Sequence, residues 1–364
     1  MFLRGVALET RSKMARKGCE RYFPKHRCLL VNADCRSSDQ TSEIFAATAT
    51  RSEKVALKTS RPAQGKGAAL KLIFEYMLEV DATHGICIDT DLTTVTPEWI
   101  RAYSLALSYD FTVPRYARHR CDATITNLLV YPLVCAVFGF DLRQPIGGDF
   151  GFSRRAAHAF LAQEWHPKVE KYGIDIFMTT SMLKKGFLVG EVELPPKIHS
   201  PTLPKLRGML EDVAEVLLSQ LEGHGFSTHF RPLPSVPWKH GDCAIPELKV
   251  DPGVLLEMAQ KCFEEHRSCI ESALATMLHA AALRQAMASE QLDGLTWTRL
   301  LRWALTTKSR NLVLPVVKSF FFLRAASHIQ AVQSLSNAEA ELRVAEQRDQ
   351  LIGLCRAGEA AELP

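Results

Sequence analysis

The stretch ICIDTDLTTVTPEW, residues 86–99, joins a short apolar run to two aspartates and then to the start of a helix. The apolar run predicts a buried strand that ends at Asp89 and Asp91. Thr96 and Pro97 suit the N-cap and the first position of the helix. Alternate side chains of an extended segment share a face, so both carboxylates project the same way. Ligands of open α/β sheets collect just beyond such strand ends, which makes the pair a candidate binding site.

Strand and helix patterns alternate through the first half of the chain. Strands are predicted at CLLVNA (28–33), KVALKT (54–59) and HGICID (84–89), and helices at residues 6–23, 41–54, 68–82 and 96–109. This alternation predicts an α/β domain with parallel strands, which we place at residues 1–205. Helical spacing of apolar residues dominates afterwards and predicts an all-helical domain over residues 206–364. Its last segment, residues 336–364, is predicted to be a solvated helix that frays.

The composition is that of a globular protein with a hydrophobic core. The chain has 364 residues, 47% of them hydrophobic, and a net charge of +4. Lysines and arginines are scattered, so no nucleic-acid partner is expected. Ten cysteines without a C-x-x-C pair are typical of a reduced, cytoplasmic protein. The longest apolar stretches fall short of the ~20 residues that span a bilayer, so neither a transmembrane segment nor a signal peptide is expected.

Two carboxylates side by side repel each other unless a cation lies near them. A hard divalent cation, Mg²⁺ or Mn²⁺, that keeps open positions for phosphate oxygens would suit Asp89 and Asp91. The alternative is a pair of solvated acids in a turn, because D-x-D alone occurs often by chance. His199 follows a predicted strand and is a candidate third ligand, since a neutral imidazole binds such ions. A lone histidine is nevertheless more often structural.

Three further motifs offer polar groups or close backbone approach. RPAQGKGAALKL places Gly65 and Lys66 at the start of a helix, where backbone N–H groups and a lysine bind anions. QPIGGDFGFSRRA contains Gly-Gly-Asp at residues 147–149, and small residues let a backbone approach a ligand. KYGIDIFMTT puts Asp175 in an apolar segment, where a buried acid needs a partner. On its own, the GKG motif is more often a flexible turn than a binding site. The GGD motif on its own is more often a β-turn.

In chain order, GKG, IDTDL, PEWI, QPIGGDFGFSRR, YGIDIF and KIHS resemble the motifs of retaining GT-A glycosyltransferases of the mannosylglycerate synthase and glucosyl-3-phosphoglycerate synthase type. The similarity covers residues 28–205. It implies a GT-A fold, a Rossmann-like mixed sheet that binds nucleotide-diphospho-sugars. It also implies a divalent metal, a nucleotide-sugar donor (GDP-mannose, GDP-glucose or UDP-glucose) and a small acidic acceptor (glycerate or 3-phosphoglycerate). Members begin with a strand ahead of the first helix, which we expect to be missing here.

The resemblance also implies roles for individual residues. The metal would be held by Asp91, Asp89 and His199, with Asp91 the more direct ligand. The donor would be bound by Lys66, Gly65, Asp89, Gly148 and Asp149, and the acceptor by Arg118, Thr126 and Gly147, with Ile146 in the same turn. Asp175 and Asp149 would be the catalytic carboxylates near the reacting centre.

Several alternatives stay open. Thr124 stands where relatives that use phosphoglycerate have an arginine, which favours glycerate, although Arg118 and Arg120 could contact a phosphate. The chain could instead be a family 2-like glycosyltransferase with another acceptor, a nucleotidyltransferase, or a truncated, inactive glycosyltransferase-like binding module. The apolar faces of the helical domain suggest a homodimer.

Overall fold

The computed structural model describes residues 13–36, 41–49, 52–60, 65–198, 203–241 and 243–357. The strands are β1 (Leu29–Asp34), β2 (Glu53–Lys58), β3 (His84–Cys87), β4 (Phe111–Tyr116), β5 (Phe140–Asp141), β6 (Phe150–Ser153), β7 (Val189–Leu194), β8 (Arg231–Pro232) and β9 (Ser235–Val236). The helices are α1 (residues 13–22), α2 (Thr41–Ala47), α3 (Lys66–Glu79), α4 (Pro97–Leu105), α5 (Tyr131–Phe138), α6 (Arg154–Leu161), α7 (Ile174–Lys184) and α8 (Leu206–Leu221). They continue with α9 (Pro252–Glu265), α10 (Arg267–Leu274), α11 (Ala280–Ser289), α12 (Gly294–Thr306), α13 (Arg310–Val332) and α14 (Asn337–Ala357), and Thr126–Val130 form a π-helix and Leu203–Lys205 a 3₁₀ turn.

The chain forms two compact units that interleave in sequence. Unit 1 contains Met1–Ala117, Ile146–Val216 and Leu233–Pro246, and unit 2 contains Arg118–Pro145, Leu217–Pro232 and Glu247–Pro364. The α/β class and the helical C-terminal region are as predicted, but this division differs from a single boundary at residue 205. The reason is that α5 is apolar on every side and packs against α14, far along the chain.

Among the described residues, unit 1 contains two sheets. β1 and β2 form a parallel pair, and the other five strands lie in the order β3-β6-β4-β7-β9. β6 runs antiparallel to β3 and β4, whereas β4, β7 and β9 are parallel, so this sheet is mixed. The mixed sheet agrees with the predicted fold. Residues 1–12 lie outside the described residues, so the predicted loss of a first strand stays a prediction.

Apolar side chains of α3 hold its first residue against the five-stranded sheet. Leu70, Phe74 and Met77 recur at helical spacing and are buried, as the sequence predicts. The ring of Phe74 lies 5.1 Å from that of Phe152 on β6 and 5.1 Å from that of Phe160 on α6. Aromatic contacts of this kind add to the stabilisation from buried area, so the start of α3 is rigidly placed.

Helix α13 corrects the expectation that the apolar stretches are too short to span a bilayer. It has 23 residues and is long and apolar enough by length and composition, because the residues flanking NLVLPVVKSFFFL continue the helix. However, 72% of its most apolar window is buried within the protein. It packs against α9, α10 and α12 of unit 2, as the central helix of a core does.

Helix α14 corrects the prediction of a solvated terminal helix. Its buried side chains are Ala340, Val344, Gln347, Leu351, Ile352 and Cys355. They recur every three or four residues and face α5 and α12. The stripe was missed because an alanine, a glutamine and a cysteine within it make the segment read as polar. Residues 358–364 lie outside the described residues.

Candidate functional site

Five charged side chains of unit 1 meet at one edge of the five-stranded sheet. Asp89 follows the carboxyl end of β3, and Asp149 directly precedes the oppositely directed β6. Lys66 is the first residue of α3, and Asp175 lies in the first turn of α7. Lys197 comes shortly after β7. We call these five residues the charged cluster.

Asp89 is held between two ammonium groups. Lys66 Nζ lies 2.9 Å from Asp89 Oδ1, and Lys197 Nζ lies 3.0 Å from Oδ2. Each lysine also donates to a carbonyl of the glycine pair, Lys66 to Gly148 and Lys197 to Gly147 at 2.9 Å. The carboxylate and the turn are therefore fixed by the same two cations.

Neither residue of this turn has room for a side chain. Gly148 has a φ of +99°, and a Cβ there would lie 2.5 Å from Asp89 Oδ2 and 2.5 Å from Lys197 Nζ. A Cβ on Gly147 would lie 2.4 Å from Cγ of Pro114 in β4. Glycine accepts such a conformation without steric cost. Both glycines therefore lie close to protein groups, and the predicted approach of this turn to a ligand stays a prediction.

Asp149 lies in the interior with both carboxylate oxygens engaged. Its side chain is fully buried, and Oδ1 accepts the backbone N–H of Asp89 at 2.6 Å. Oδ2 accepts the hydroxyl of Tyr116, the last residue of β4, and lies 4.0 Å from Lys197 Nζ. Burial raises the pKa of Asp149 above its usual value despite Lys197. These bonds make Asp149 a support for Asp89.

Three members of the charged cluster, Lys66, Asp89 and Asp175, retain access to solvent. The exposed side-chain fractions are 21% for Lys66, 25% for Asp89 and 14% for Asp175. Burial would raise the pKa of Asp89, but Lys66 and Lys197 outweigh it and lower that pKa. Burial raises the pKa of Asp175, although Lys66 Nζ lies 3.0 Å from its Oδ1. Burial alone would lower the pKa of Lys66, but Asp175 and Asp89 raise it well above its usual value, so the lysine stays charged.

The structure brings together Gly65, Lys66, Asp89, Gly147, Gly148, Asp149 and Asp175 of the predicted set. It adds Lys197 and Tyr116, which the sequence analysis did not single out. Both follow from position, because one ends β4 and the other lies just beyond β7. The carboxyl ends of these parallel strands lie at the same sheet edge, so a search of every strand end would have found them.

The structure describes only part of the predicted metal set. Within the part of the chain that the structure describes, no three His, Cys, Asp or Glu side chains are grouped to hold a metal ion. Both oxygens of Asp89 are bonded to lysines, and Asp91 lies half-buried in the turn that follows. His199 lies outside the described residues. The metal set of Asp91, Asp89 and His199 therefore stays a prediction.

The two side chains predicted to bind the acceptor belong to unit 2. Arg118 Nη1 lies 2.8 Å from Asp122 Oδ2, and Arg118 Nε donates to Gln144 at 3.3 Å. Thr126 is buried and is the first residue of the π-helix. Such helices are frequent at functional sites, but the acceptor role of both residues stays a prediction.

A cavity of about 460 Å³ lies in unit 1 on segments next to the cluster. Thr94, Glu98, Ile198 and Trp238 line it, together with His240. The described residues that line it include no member of the charged cluster, so we assign the cavity no role in the site.

Residues 32–219, just over half of the chain, match the family described as mannosylglycerate synthase, GT domain. The chain belongs to this family. A mannosylglycerate synthase of Selaginella moellendorffii is 29% identical over 168 residues, which are 43% of this chain and 39% of that protein. The match thus spans well under half of the relative. The whole charged cluster lies inside the region that defines membership of the mannosylglycerate synthase family.

Solved structures of glucosyl-3-phosphoglycerate synthase from Mycobacterium tuberculosis are also similar to this chain. One is a complex with Mn²⁺, UDP and glucosyl-3-phosphoglycerate, with 21% identity and a TM-score of 0.45. Another is a complex with Mn²⁺, UDP-glucose and phosphoglyceric acid, with 21% identity and a TM-score of 0.46. Each match covers 58% of this chain and 76% of the other.

Proposed function

We propose that this protein is a retaining glycosyltransferase that moves a hexose from a nucleotide diphosphate sugar to a small acidic acceptor. The observation that carries the proposal is the charged cluster beside a glycine turn, in a chain of the mannosylglycerate synthase family. Asp89, Asp175 and Lys66 are the members of the cluster that solvent reaches. Carboxylates accept hydrogen bonds from sugar hydroxyls, and an ammonium group binds diphosphate oxygens.

Lys66 supplies the positive charge that the leaving group needs. Departure of a nucleoside diphosphate builds negative charge, and a fixed cation beside it stabilises the transition state. Asp175 and Asp89 keep Lys66 protonated by raising its pKa. A divalent ion, if held by Asp91 and His199, would add charge to the same diphosphate.

Asp175 and Asp149 take different parts in this proposal. The anomeric carbon gains oxocarbenium character as the diphosphate leaves, and a nearby carboxylate stabilises it. Asp175 keeps an exposed side-chain fraction of 14%, so it can face the sugar. Asp149 is fully buried with both oxygens bonded, so it orients Asp89 without touching the substrate.

For the acceptor we propose glycerate ahead of 3-phosphoglycerate. The mannosylglycerate synthase relative and the presence of Thr124 favour glycerate, and the relative alone favours mannose as the hexose. Arg118 offers a planar fork that binds a carboxylate through two hydrogen bonds. Thr126 would add a hydroxyl near that acid.

The test is a screen of donors and acceptors. GDP-mannose, GDP-glucose and UDP-glucose would each be combined with glycerate or 3-phosphoglycerate, with Mn²⁺, with Mg²⁺ and with a chelator. Mass spectrometry would detect the product, and NMR would give the configuration at its anomeric carbon. We expect one pair to give an α-linked product with a divalent ion. Product no greater than that of an Asp175→Asn protein purified in the same way would refute transfer, and donor binding without product would favour the inactive binding module.

A further inference from the structure

We infer that Lys197 is a positioning residue that shapes the donor-sugar subsite through Asp89 and the Gly147–Gly148 turn. The inference deepens the proposed function and rests on it. Lys197 would affect the sugar only through these protein groups, whereas Lys66 would contact the donor directly.

The ammonium group of Lys197 lies in different surroundings from the ammonium group of Lys66. Its side chain is only 6% exposed, against 21% for Lys66. An ammonium group has three donors. For Lys197, acceptors lie at Asp89 Oδ2 (3.0 Å), at the Gly147 carbonyl (2.9 Å) and, farther off, at Asp149 Oδ2 (4.0 Å).

The remaining side of this ammonium group faces an aromatic ring. Lys197 Nζ lies 5.3 Å from the centroid of Tyr116, within the range of a cation–π contact. Protein groups thus surround the charge, and little surface remains for a phosphate. Lys197 is therefore placed to hold protein groups, and its influence on a ligand passes through them.

Loss of Lys197 would release both groups that it holds. Asp89 Oδ2 would lose its cation, although Lys66 would still hold Oδ1. The Gly147 carbonyl would lose its hydrogen bond, and a partner left unpaired in the interior is costly. In this inference Asp89 and the turn face the donor sugar, so sugar recognition should suffer more than diphosphate recognition.

The experiment compares the affinity for a nucleotide sugar with that for its free nucleoside diphosphate. Isothermal titration calorimetry would use GDP-mannose and GDP, or the donor pair that the screen identifies. We expect Lys197→Met to weaken binding of the nucleotide sugar about tenfold or more and binding of the diphosphate less than about threefold. Lys197→Arg, which keeps the charge, should recover part of the loss. Turnover by Lys197→Met should show a raised donor KM.

Lys54 offers a matched control in the same unit. Its ammonium group donates to the carbonyls of Phe45 at 3.0 Å and Thr48 at 2.8 Å, and to that of Ala46. Lys54→Met thus removes comparable hydrogen bonds outside the charged cluster. It should lower stability without changing the ratio of the two affinities.

Each other outcome counts against the inference. An unchanged ratio in Lys197→Met would reduce Lys197 to a structural residue. Equal loss of both affinities would make it a direct diphosphate ligand. If Lys197→Met does not fold, Lys197→Arg carries the test, and an unchanged ratio there overturns the inference. A wild-type protein that binds neither ligand would remove the proposed function itself, a result distinct from a ratio that does not move.

Discussion

The charged cluster of unit 1 and the polar network around the π-helix of unit 2 are both built from interior side chains, but their bonds end on different partners. In unit 2, Gln347 donates to the carbonyls of Asn127 and Leu128, and Trp297 donates to the latter at 2.7 Å. Arg143 donates at 2.8 Å to the side chain of Asn127. This network supplies hydrogen-bond donors to the irregular backbone of the π-helix, so its bonds stabilise the fold.

In unit 1, the corresponding bonds join charges and leave part of them accessible. Three carboxylates face two ammonium groups, so the cluster carries one excess negative charge when all are ionised. Part of Lys66, Asp89 and Asp175 remains exposed. A network of charges that keeps an open side is suited to a ligand, and a network whose donors hold one turn of the chain is suited to stability. Substitutions should therefore affect activity in the first region and unfolding in the second.

The largest effect should follow Lys66→Met. Removing a preorganised cation beside the leaving diphosphate should lower kcat/KM by about a hundredfold or more. The fold should persist, because this side chain lies at the first residue of α3. Steady-state kinetics would measure the loss, with Lys71→Met on the same helix as control. Activity close to wild type would contradict the assignment of the charged cluster to the reaction.

The next effect concerns the pH dependence of unfolding in unit 2. Burial, together with the cations Arg324 and Arg143, lowers the pKa of His328 from 6.5 to about 3. Between these two pKa values the unfolded chain binds a proton that the folded protein does not bind. The free energy of unfolding therefore falls as the pH drops through that window. The slope is about 1.4 kcal/mol per pH unit. Urea unfolding at several pH values should show a shallower slope for His328→Gln than for wild type.

A smaller loss should follow Gln347→Leu. The substitution removes the donor to the carbonyls of Asn127 and Leu128 while it keeps the volume of the side chain. Unfolding free energy should fall by about 1–3 kcal/mol, because a buried carbonyl is left without its donor. Denaturant titration would measure it. Turnover per folded molecule should not change, and a fall in turnover would show that the unit 2 network also serves the reaction.

The smallest effect should come from an exposed ion pair. Arg343 Nη1 lies 3.0 Å from Glu346 Oε2 on α14, and both side chains are more than half exposed. Arg343→Ala should change the unfolding free energy by less than about 0.5 kcal/mol. The same titration would measure it. A larger loss would mean that the exposed face of α14 is covered in the working protein.

The sequence predicted most of the charged cluster because its members lie at the ends of regular elements. Asp89 follows a strand, Lys66 begins a helix, and Asp149 precedes a strand. Short motifs mark such positions, and the order of the motifs carried the family resemblance. The helical spacing of apolar residues also predicted α3.

The rest depended on contacts between distant segments. That two lysines bind Asp89 could not be read from D-x-D, because the pattern does not state which cation lies nearby. The partners of Lys197 could not be predicted for the same reason, since they lie 50 and 108 residues earlier in the chain. The burial of α14 depends on α5 and α12, and the membership of residues 118–145 in unit 2 follows from that packing.

The reversed direction of β6 has a consequence for insertions and deletions. Cys87 of β3 pairs with Phe150, whose ring stacks on that of Phe111 at 5.2 Å, so the register is fixed one residue beyond Asp149. Extra residues inserted before Gly147 would lengthen a loop and leave that carboxylate in place. A single residue added between Asp149 and Phe150 would push the acid away from the phenol of Tyr116. We therefore expect related chains to differ in length before the glycine pair but not between that pair and Phe150.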